Sequence, residues 1–531
     1  MLSARILLGR LSRSALFAGA DTSIHKARFA HPHEVASLMH GRQPKPGTHL
    51  LIGIGPYSQV LAVTPVPTRR ELGNIIVIAP PRHGKGLHAT AQLLTWEHSV
   101  IVNDIKGEHF DRTGNARSRL GPVFVFDPRG YGNRYDPLKH CETEDDFLAL
   151  ADQLLAKTGD KEADAFVQRA RGMLTALFMA GHLEGYPLLV YLAHLIHIGP
   201  EAAAKRLALL SQTLHHPEDK NLATRFLDRE FENVDFSDRY LQNSWSTLKA
   251  KLLPILTDTV IRSLAGSDFT VADILLGREV DENGKKIRKP VSIYFRLPEN
   301  RLKPLAPLIS LFWKSLFDGM ANLYDSLRGV GCKEVLALID EGGAAPVPGL
   351  PELAATVPGR GISIWADFQD INQPRAVFGR DRAQTLLNCM ETQIYYRQSG
   401  IESSEYVERR LGRKSEFAHS KSVHEQATTE GQSEQAVPLL SPQEITELSE
   451  TEILCVHRNR KPFRANRMDW RDFASLRQLG GLPPLAVPAL APAPIIAPLT
   501  KETNFRPDFV DIDTMVKGRR KRQLEREEEA D

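Results

Sequence analysis

Residues 75–104 read IIVIAPPRHGKGLHATAQLLTWEHSVIVND, and this stretch decides the fold class. An apolar run at each end has the length and composition of a buried strand. Between the two runs lie a loop that carries Gly84 and Lys85 and a segment with helical periodicity over residues 87–94. In a strand, loop, helix and strand of this order, backbone N–H groups hold phosphate oxygens and the lysine adds positive charge. The stretch therefore predicts a nucleotide site.

The loop APPRHGKG departs from the general pattern G-x-x-x-x-G-K-[ST] at two positions. Ala79 replaces the first glycine, and Gly86 replaces the residue whose hydroxyl normally binds Mg²⁺. Magnesium would then depend on phosphate oxygens, water and a carboxylate. Taken alone, the loop is also compatible with an ordinary glycine-containing turn. The candidate nucleotide-binding residues are Ala79, Pro80, Pro81, Arg82, His83, Gly84, Lys85 and Gly86.

A later apolar run, residues 335–339, ends in the carboxylate pair Asp340 and Glu341. In P-loop enzymes the first such carboxylate holds Mg²⁺ through water, and the second orients and activates the attacking water. Two acids at a strand end are common, so the pair indicates nucleotide chemistry only in combination with the loop.

The remaining apolar runs predict a mostly parallel sheet that an all-helical stretch interrupts, because helical periodicity dominates residues 142–276. That stretch alone is equally compatible with a plain helical subdomain. Residues 26–70 predict an edge strand or hairpin, residues 305–327 a long helix, residues 412–440 an exposed loop and residues 441–448 a capped helix. The predicted domains are a basic amphipathic segment (1–25), a nucleotide-binding domain in two parts (26–140 and 279–478), an all-α insert (141–278), and a Pro/Ala-rich linker with a charged, disordered tail (479–531).

Composition excludes little. The net charge of +2 does not indicate a nucleic-acid binder, so a DNA-binding surface would have to be local. The four cysteines show no CxxC spacing, which argues against a zinc cluster or a disulfide framework. No apolar run is long enough to span a bilayer. The amphipathic start is compatible with a targeting peptide, a membrane-surface helix or an interfacial helix.

Over residues 26–470 the chain resembles the VirD/TraG family of type IV secretion coupling proteins, the conjugative DNA-transfer ATPases. Family loops commonly have an APTRSGKG-like form, which APPRHGKG matches, so Ala79 and Gly86 look like family usage. Also similar are VIVNDIKGE (100–108), VFDP (125–128) and YDPL (135–138). The block LIDEGGAAPVPGLPELAATVPGRGISIWADFQDINQPRAVFG (338–379) resembles the acidic block and the glutamine motif of the family.

The resemblance assigns roles to individual side chains. It implies that Lys85 binds the β- and γ-phosphates, that Asp340 serves magnesium and that Glu341 activates water. Gln369 would sense the γ-phosphate or the water. Arg360 is the first candidate for an arginine that acts across a subunit interface. The other candidates are Arg375, Arg380 and Arg382, and for each of the four the alternative is an ordinary surface residue. Asp104 would either help to order the site or have a purely structural role. The chain departs from the family at Gly342, which replaces the phenylalanine that usually follows the acidic pair.

The resemblance also implies a fold and a function: an α/β, RecA-like P-loop NTPase core with an inserted all-α domain. Such a protein would use ATP and Mg²⁺, form a homo-hexamer, and pump single-stranded DNA or a relaxase–DNA complex into a type IV secretion channel. It would work with relaxase or relaxosome proteins and with channel components at the cytoplasmic face of the bacterial inner membrane. Family members usually begin with transmembrane helices. Their absence leaves three readings: a soluble cytoplasmic member, a start recorded downstream of the real one, or a separate membrane subunit.

Two other functions remain open at this point. One is a soluble DNA translocase for segregation, packaging or defence, and the other is a substrate-docking module without ATPase turnover.

Overall fold

The computed structural model describes residues 25–65, 71–155, 161–213, 239–424 and 427–498. The amphipathic segment before residue 25 and the charged tail beyond residue 498 lie outside the described residues, so the predictions for them are not addressed by the structure.

The strands in these ranges are β1 (Met39–His40), β2 (Leu50–Ile54), β3 (Val60–Val63), β4 (Ile75–Ile78), β5 (Ser99–Asn103), β6 (Val123–Asp127), β7 (Tyr131–Gly132), β8 (Arg278–Glu282), β9 (Lys285–Lys289), β10 (Ser292–Phe295), β11 (Val335–Ile339), β12 (Ile362–Phe368), β13 (Thr392–Tyr395), β14 (Arg413–His424), β15 (Ala427–Pro438), β16 (Glu452–His457) and β17 (Phe463–Asn466).

The α-helices in these ranges are α1 (Lys85–Thr95), α2 (Glu108–Ser118), α3 (Glu144–Leu154), α4 (Lys161–Leu183), α5 (Leu188–Ile198), α6 (Pro200–Thr213), α7 (Arg239–Leu252), α8 (Asp258–Leu264), α9 (Val271–Leu276), α10 (Ala306–Ser326), α11 (Leu350–Thr356), α12 (Asn372–Phe378), α13 (Arg380–Cys389), α14 (Ile401–Leu411), α15 (Pro442–Thr446) and α16 (Ala474–Gly480).

The chain divides into two compact units. The described residues of the first unit fall within Met1–Asn103, Glu108–Gly121 and Gly331–Pro484. Those of the second unit fall within Asp104–Gly107, Pro122–Val330 and Leu485–Asp531.

The first unit is built on a sheet whose strands follow the order β1-β3-β2-β17-β16-β13-β4-β12-β11-β5. The five strands from β13 to β5 run parallel, which confirms the predicted parallel core. The other strands add antiparallel at one side, with the β2–β3 hairpin near the edge as predicted. Because parallel strands share one carboxyl edge, the residues after β4, β11 and β12 come to the same edge of the sheet.

Helix α1 follows β4 and is held near its carboxyl end by two side-chain contacts. At its carboxyl end the buried Arg117 guanidinium donates to the carbonyl oxygens of Leu93 (2.9 Å) and Trp96 (2.7 Å). These bonds satisfy carbonyls that a helix end leaves without partners, and they place positive charge at the negative end of the helix dipole. Gln92 ties the helix to β2, because its Oε1 accepts from the Leu51 backbone N–H at 2.7 Å.

The prediction of an exposed loop over residues 412–440 is wrong. Strands β14 and β15 form a two-stranded antiparallel hairpin with a continuous register from Arg413 opposite Pro438 to His424 opposite Ala427. The sequence did not signal these strands because residues 412–440 are rich in Ser, Gln, Glu and Lys and lack the apolar alternation that identifies a strand. The next prediction is confirmed: Ser441 caps α15, accepting from Glu444 N at 3.2 Å while the Glu444 carboxylate accepts from Ser441 N at 2.7 Å.

In the second unit, β6 and β10 pair in parallel, and β7 pairs antiparallel with β6. Helices α3 to α9 form the all-α part, and the long helix predicted after β10 is confirmed as α10. Residues 485–498 contain no helix or named strand and run along this unit, where Gly132 N donates to Pro488 O and Leu490 N donates to Gly130 O, both at 2.8 Å. In the described part of the chain, no single helix has the length and apolarity needed to cross a bilayer. The segments Val167–Leu183 and Leu188–Ile198 meet that test only as a pair bent by 119°.

Candidate functional site

The predicted phosphate loop lies between β4 and α1. Ala79 N donates to Phe368 O of β12 at 3.0 Å, which fixes the start of the loop against the sheet. Gly84 ends it with a φ of 93°, a left-handed conformation that suits glycine. Helix α1 begins at Lys85. The N–H groups of Leu87 and His88 donate to Gly84 O, and those of Lys85 and Gly86 precede the first of these hydrogen bonds. The loop thus presents backbone donors and the positive end of a helix dipole to an anion.

Lys85 and Asp340 form an ion pair at the mouth of this loop, with Lys85 Nζ 3.2 Å from Asp340 Oδ1. Burial lowers the pKa of Lys85, but the carboxylates of Asp340, Asp367 and Glu341 outweigh burial, and the net pKa is raised. Burial likewise raises the pKa of Asp340, yet His109 and Lys85 hold it well below its usual range. Both groups are therefore charged at neutral pH.

Asp340 is held by more than the lysine. Its Oδ2 lies 3.2 Å from Nε2 of the buried His109, and its Oδ1 accepts from Glu341 N at 2.9 Å. The Asn103 side chain donates to the Asp340 carbonyl at 3.3 Å. The next residue, Glu341, has a φ of 51°, which is uncommon outside glycine. The strand end therefore fixes both carboxylate residues that the sequence singled out.

Sequence reasoning missed Asp367, a third acid of the site. It lies in β12, fully buried, and its Oδ1 accepts from Trp365 Nε1 at 2.8 Å. Its Oδ2 has no hydrogen-bond partner. Burial, reinforced by the negative charge of Asp340 and opposed by Lys85, raises the pKa of Asp367 to about 7. A single aspartate within an apolar strand carries no spacing signal that would have revealed it.

Two further residues were also missed. His109 is the second residue of α2, and nothing in the helix pattern links it to Asp340. Arg467 follows β17, far along the chain, and its Nη1 donates to the carbonyl of loop residue His83 at 2.7 Å. Only the fold brings these residues to the loop.

Gln369 directly follows β12 and lines a cavity of about 490 Å³ together with loop residues Pro80 and Pro81. Its backbone N–H donates to Gln373 Oε1 at 2.8 Å. The structure thus brings Gln369 beside the loop. Gly342 is explained by the same strand, because a Cβ at Gly342 would lie 3.0 Å from Cζ of Phe368, whose ring occupies that space.

Within the chain, Arg360 lies away from this site, whereas Arg375 contacts Asn372, which lines the same cavity as Gln369. Arg360 precedes β12, whereas Gln369 follows it, so the seven residues of the strand separate them by roughly 20 Å. Arg382 pairs with Glu352 at 2.7 Å, and Arg375 donates to Asn372 at 3.3 Å. Arg380 is the first residue of α13. The intersubunit role of any of them remains a prediction. Asp104 belongs to the second unit, where its N–H donates to Phe295 O at 2.9 Å.

The residues present fit a magnesium nucleotide. Among the described residues no group of three His, Cys, Asp or Glu side chains could hold a metal ion, so magnesium would rely on one carboxylate, phosphate oxygens and water. At Gly86 a Cβ would meet nothing within 4 Å, which leaves room for phosphate or water. The donor set of the loop suits phosphate oxygens.

Comparison with known proteins gives consistent results. Residues 68–478 match the family described as "Type IV secretory system Conjugative DNA transfer". The protein VirD4 of Rhizobium radiobacter is 26% identical over 467 residues, which cover 83% of this chain and 64% of VirD4. The conjugal transfer protein TraG of Escherichia coli is 24% identical over 413 residues, covering 70% of this chain and 61% of TraG. The chain thus spans less than two thirds of the length of these relatives.

Solved structures share the fold. The bacterial conjugative coupling protein TrwBdeltaN70 superposes with a TM-score of 0.55 at 15% identity, covering 85% of this chain and 95% of the TrwBdeltaN70 chain. A second structure, of TrwB in complex with ADP and Mg²⁺, gives a TM-score of 0.54 at 14% identity, covering 85% of this chain and 96% of TrwB. The likeness confirms the predicted RecA-like α/β core with a helical domain.

Proposed function

The chain belongs to the type IV secretory system conjugative DNA-transfer family, and on that premise we propose that it is an ATPase that couples ATP hydrolysis to moving DNA towards a secretion channel. The substrate is single-stranded DNA or a relaxase–DNA complex. The site of action is the cytoplasmic face of the inner membrane, beside relaxosome proteins and channel components. A homo-hexamer would place the DNA in its central channel.

One observation carries this proposal: the phosphate-loop lysine and the strand-end carboxylate are 3.2 Å apart and both charged. A buried lysine at a helix N-terminus needs a negatively charged partner, and phosphate oxygens can replace the carboxylate in that role. Lys85 would then bind the β- and γ-phosphates, and Asp340 would be released to hold Mg²⁺ through water. When bound, the magnesium nucleotide supplies the phosphoanhydride bond and the charge neutralisation for phosphoryl transfer.

The side chains of the site position the attacking water and accept its proton. Glu341 accepts a proton from the attacking water, and its backbone is fixed by the bond to Asp340. Gln369 orients that water from the next strand. His109 holds the Asp340 carboxylate in position, so that the carboxylate does not move when Lys85 leaves it to bind phosphate.

The test is steady-state ATPase activity with and without single-stranded DNA. We expect DNA to stimulate hydrolysis, and Lys85→Ala or Glu341→Gln to reduce the rate about 100-fold or more, because each removes a group that acts on the transferred phosphoryl or its nucleophile. Glu405→Gln, on the surface of α14, is the control and should keep the wild-type rate.

Binding measurements separate the alternatives. If the purified wild-type protein binds no nucleotide at millimolar Mg-ATP, the motor proposal is wrong and a docking module is favoured. In cells, deletion of the gene should block conjugative transfer, and the Lys85→Ala protein should fail to restore it.

A further inference from the structure

We infer that Arg467 is a positioning residue for nucleotide binding, which holds the His83–Gly84 peptide of the phosphate loop in its phosphate-binding orientation. The inference rests on the proposed function, since it concerns the same site. It assigns a role to a residue outside every motif that pointed to the site.

The backbone around Arg467 is anchored, so its side chain has a fixed origin. Arg467 N donates to Thr451 O at 2.7 Å, and the preceding strand β17 pairs with β16 and β2. The next residue, Met468, is fully buried in an apolar cluster that includes Ala91 and Leu94 of helix α1. The arginine and the helix that follows the loop are thus fixed to one core.

From this origin the guanidinium reaches the loop. Arg467 Nη1 donates to the His83 carbonyl at 2.7 Å, a length typical of a charge-assisted hydrogen bond. The peptide is trans, so its C=O and N–H point in opposite directions. Because the carbonyl of His83 points to the arginine, the N–H of Gly84 points away from it. That N–H belongs to the loop that leads into the open first turn of α1, where phosphate oxygens are held.

The side chain also lies against Gly84 itself. A Cβ at Gly84 would be 2.7 Å from Arg467 Nη1 and 3.2 Å from Cζ. The φ of 93° favours glycine at this position, and a Cβ there would also have to displace the guanidinium. Arg467 covers one side of the 83–84 peptide, and its positive charge adds to the field that attracts an anion to the loop.

The experiment measures the dissociation constant of a fluorescent ADP analogue with Mg²⁺, together with KM and kcat for ATP, for the full chain. We expect Arg467→Ala to weaken ADP binding about tenfold, the loss typical of one hydrogen bond to a charged group. KM for ATP should rise by a similar factor with kcat within about twofold, because the loop binds ground state and transition state alike. Arg467→Lys, which keeps the charge and a donor, should recover part of the affinity.

The matched control is Arg464→Gln on β17, the strand that precedes Arg467; the exposed Arg464 pairs with Glu452 and not with the loop. It should leave the ADP affinity unchanged. A thermal melt of each variant shows whether it is folded at the temperature of the binding assay. If Arg467→Ala is unfolded, the ADP affinity of folded Arg467→Lys is compared with that of wild type instead.

The two proposals fail differently. If wild type binds ADP and folded Arg467→Ala and Arg467→Lys bind it equally well, or if Arg464→Gln loses as much affinity, the role of Arg467 is wrong and the proposed function stands. If wild type binds no nucleotide, both are wrong. The double variant Gly84→Ala, Arg467→Ala gives a further test. Gly84→Ala already distorts the loop, so adding Arg467→Ala should reduce the ADP affinity little further. Fully additive losses of ADP affinity would contradict the inference.

Discussion

Replacement of the buried Asp367 by asparagine should stabilise the protein, and the gain should grow with pH. The pKa of Asp367 is raised to about 7 in the folded protein, against roughly 4 for an unfolded aspartate. A folded pKa above the unfolded one means that folding becomes less favourable as pH rises from about 4 to 7, because the unfolded chain releases the proton first. The asparagine variant has no such proton and keeps an Oδ1 to accept from Trp365 Nε1.

The size of the effect follows from the shift. A difference of about three pKa units corresponds to on the order of 4 kcal/mol in the free energy of unfolding above pH 7, of which about 1.5 kcal/mol is already lost at pH 5. Between pH 5 and pH 8 the gain from Asp367→Asn should thus grow by roughly 2.5 kcal/mol. At about 2 °C per kcal/mol for a domain of this size, this is about 5 °C in Tm.

The assay is thermal unfolding of the nucleotide-free protein at pH 5, 6, 7 and 8, with Tm of the variant compared with that of wild type at each pH. Asp111→Asn, which removes an exposed carboxylate on α2, is the control for the loss of one acidic side chain. If the gain of Asp367→Asn is flat, or falls as pH rises, then the folded protein holds Asp367 ionised at pH 5 and the reasoning from burial is refuted.

Three other predictions concern the phosphate loop and its surroundings in the first unit. Gly86→Ser should restore the missing hydroxyl without a clash, because a Cβ there meets nothing within 4 Å; the Mg²⁺ concentration at half-maximal ATPase rate should fall, and an unchanged or higher value would count against Mg²⁺ binding at this position. Gly342→Phe should destabilise the first unit by about 1–3 kcal/mol through overlap with Phe368, as measured by urea unfolding, and a variant as stable as wild type would show that the ring is not fixed there. Arg117→Ala should cost about 3 kcal/mol in the same assay, because it leaves buried carbonyls at the end of α1 without donors; a loss below about 1 kcal/mol would mean that water replaces them.

Local pattern was enough for the parts of the site that one segment builds. The loop from Ala79 to Gly86 was predicted because a strand, a turn and a helix follow each other directly. The pair Asp340 and Glu341 was predicted because it ends an apolar strand. The hairpin β14–β15 was not predicted, since apolar alternation is the signal for a strand and a two-stranded polar hairpin does not need it.

The residues that complete the site come from elsewhere in the fold. Asp367 reads as part of an apolar strand, and its place beside Lys85 and Asp340 follows from β12 lying between β4 and β11. Arg467 reaches the loop because β17 joins the antiparallel side of the same sheet.

The sequence by itself determined the class of the core and the identity of the lysine and the acidic pair, because these depend on short-range periodicity and on residue chemistry within one segment. Tertiary structure alone decided which groups lie beside that pair and the loop: the buried His109 and Asp367 near Asp340, and Arg467 against the loop. The physical reason is that sheet order and register set the distances between distant segments, and distance and burial set the charge and hydrogen bonding of each side chain. The periodicity of one segment carries no information about the order of the strands in the sheet or about their register.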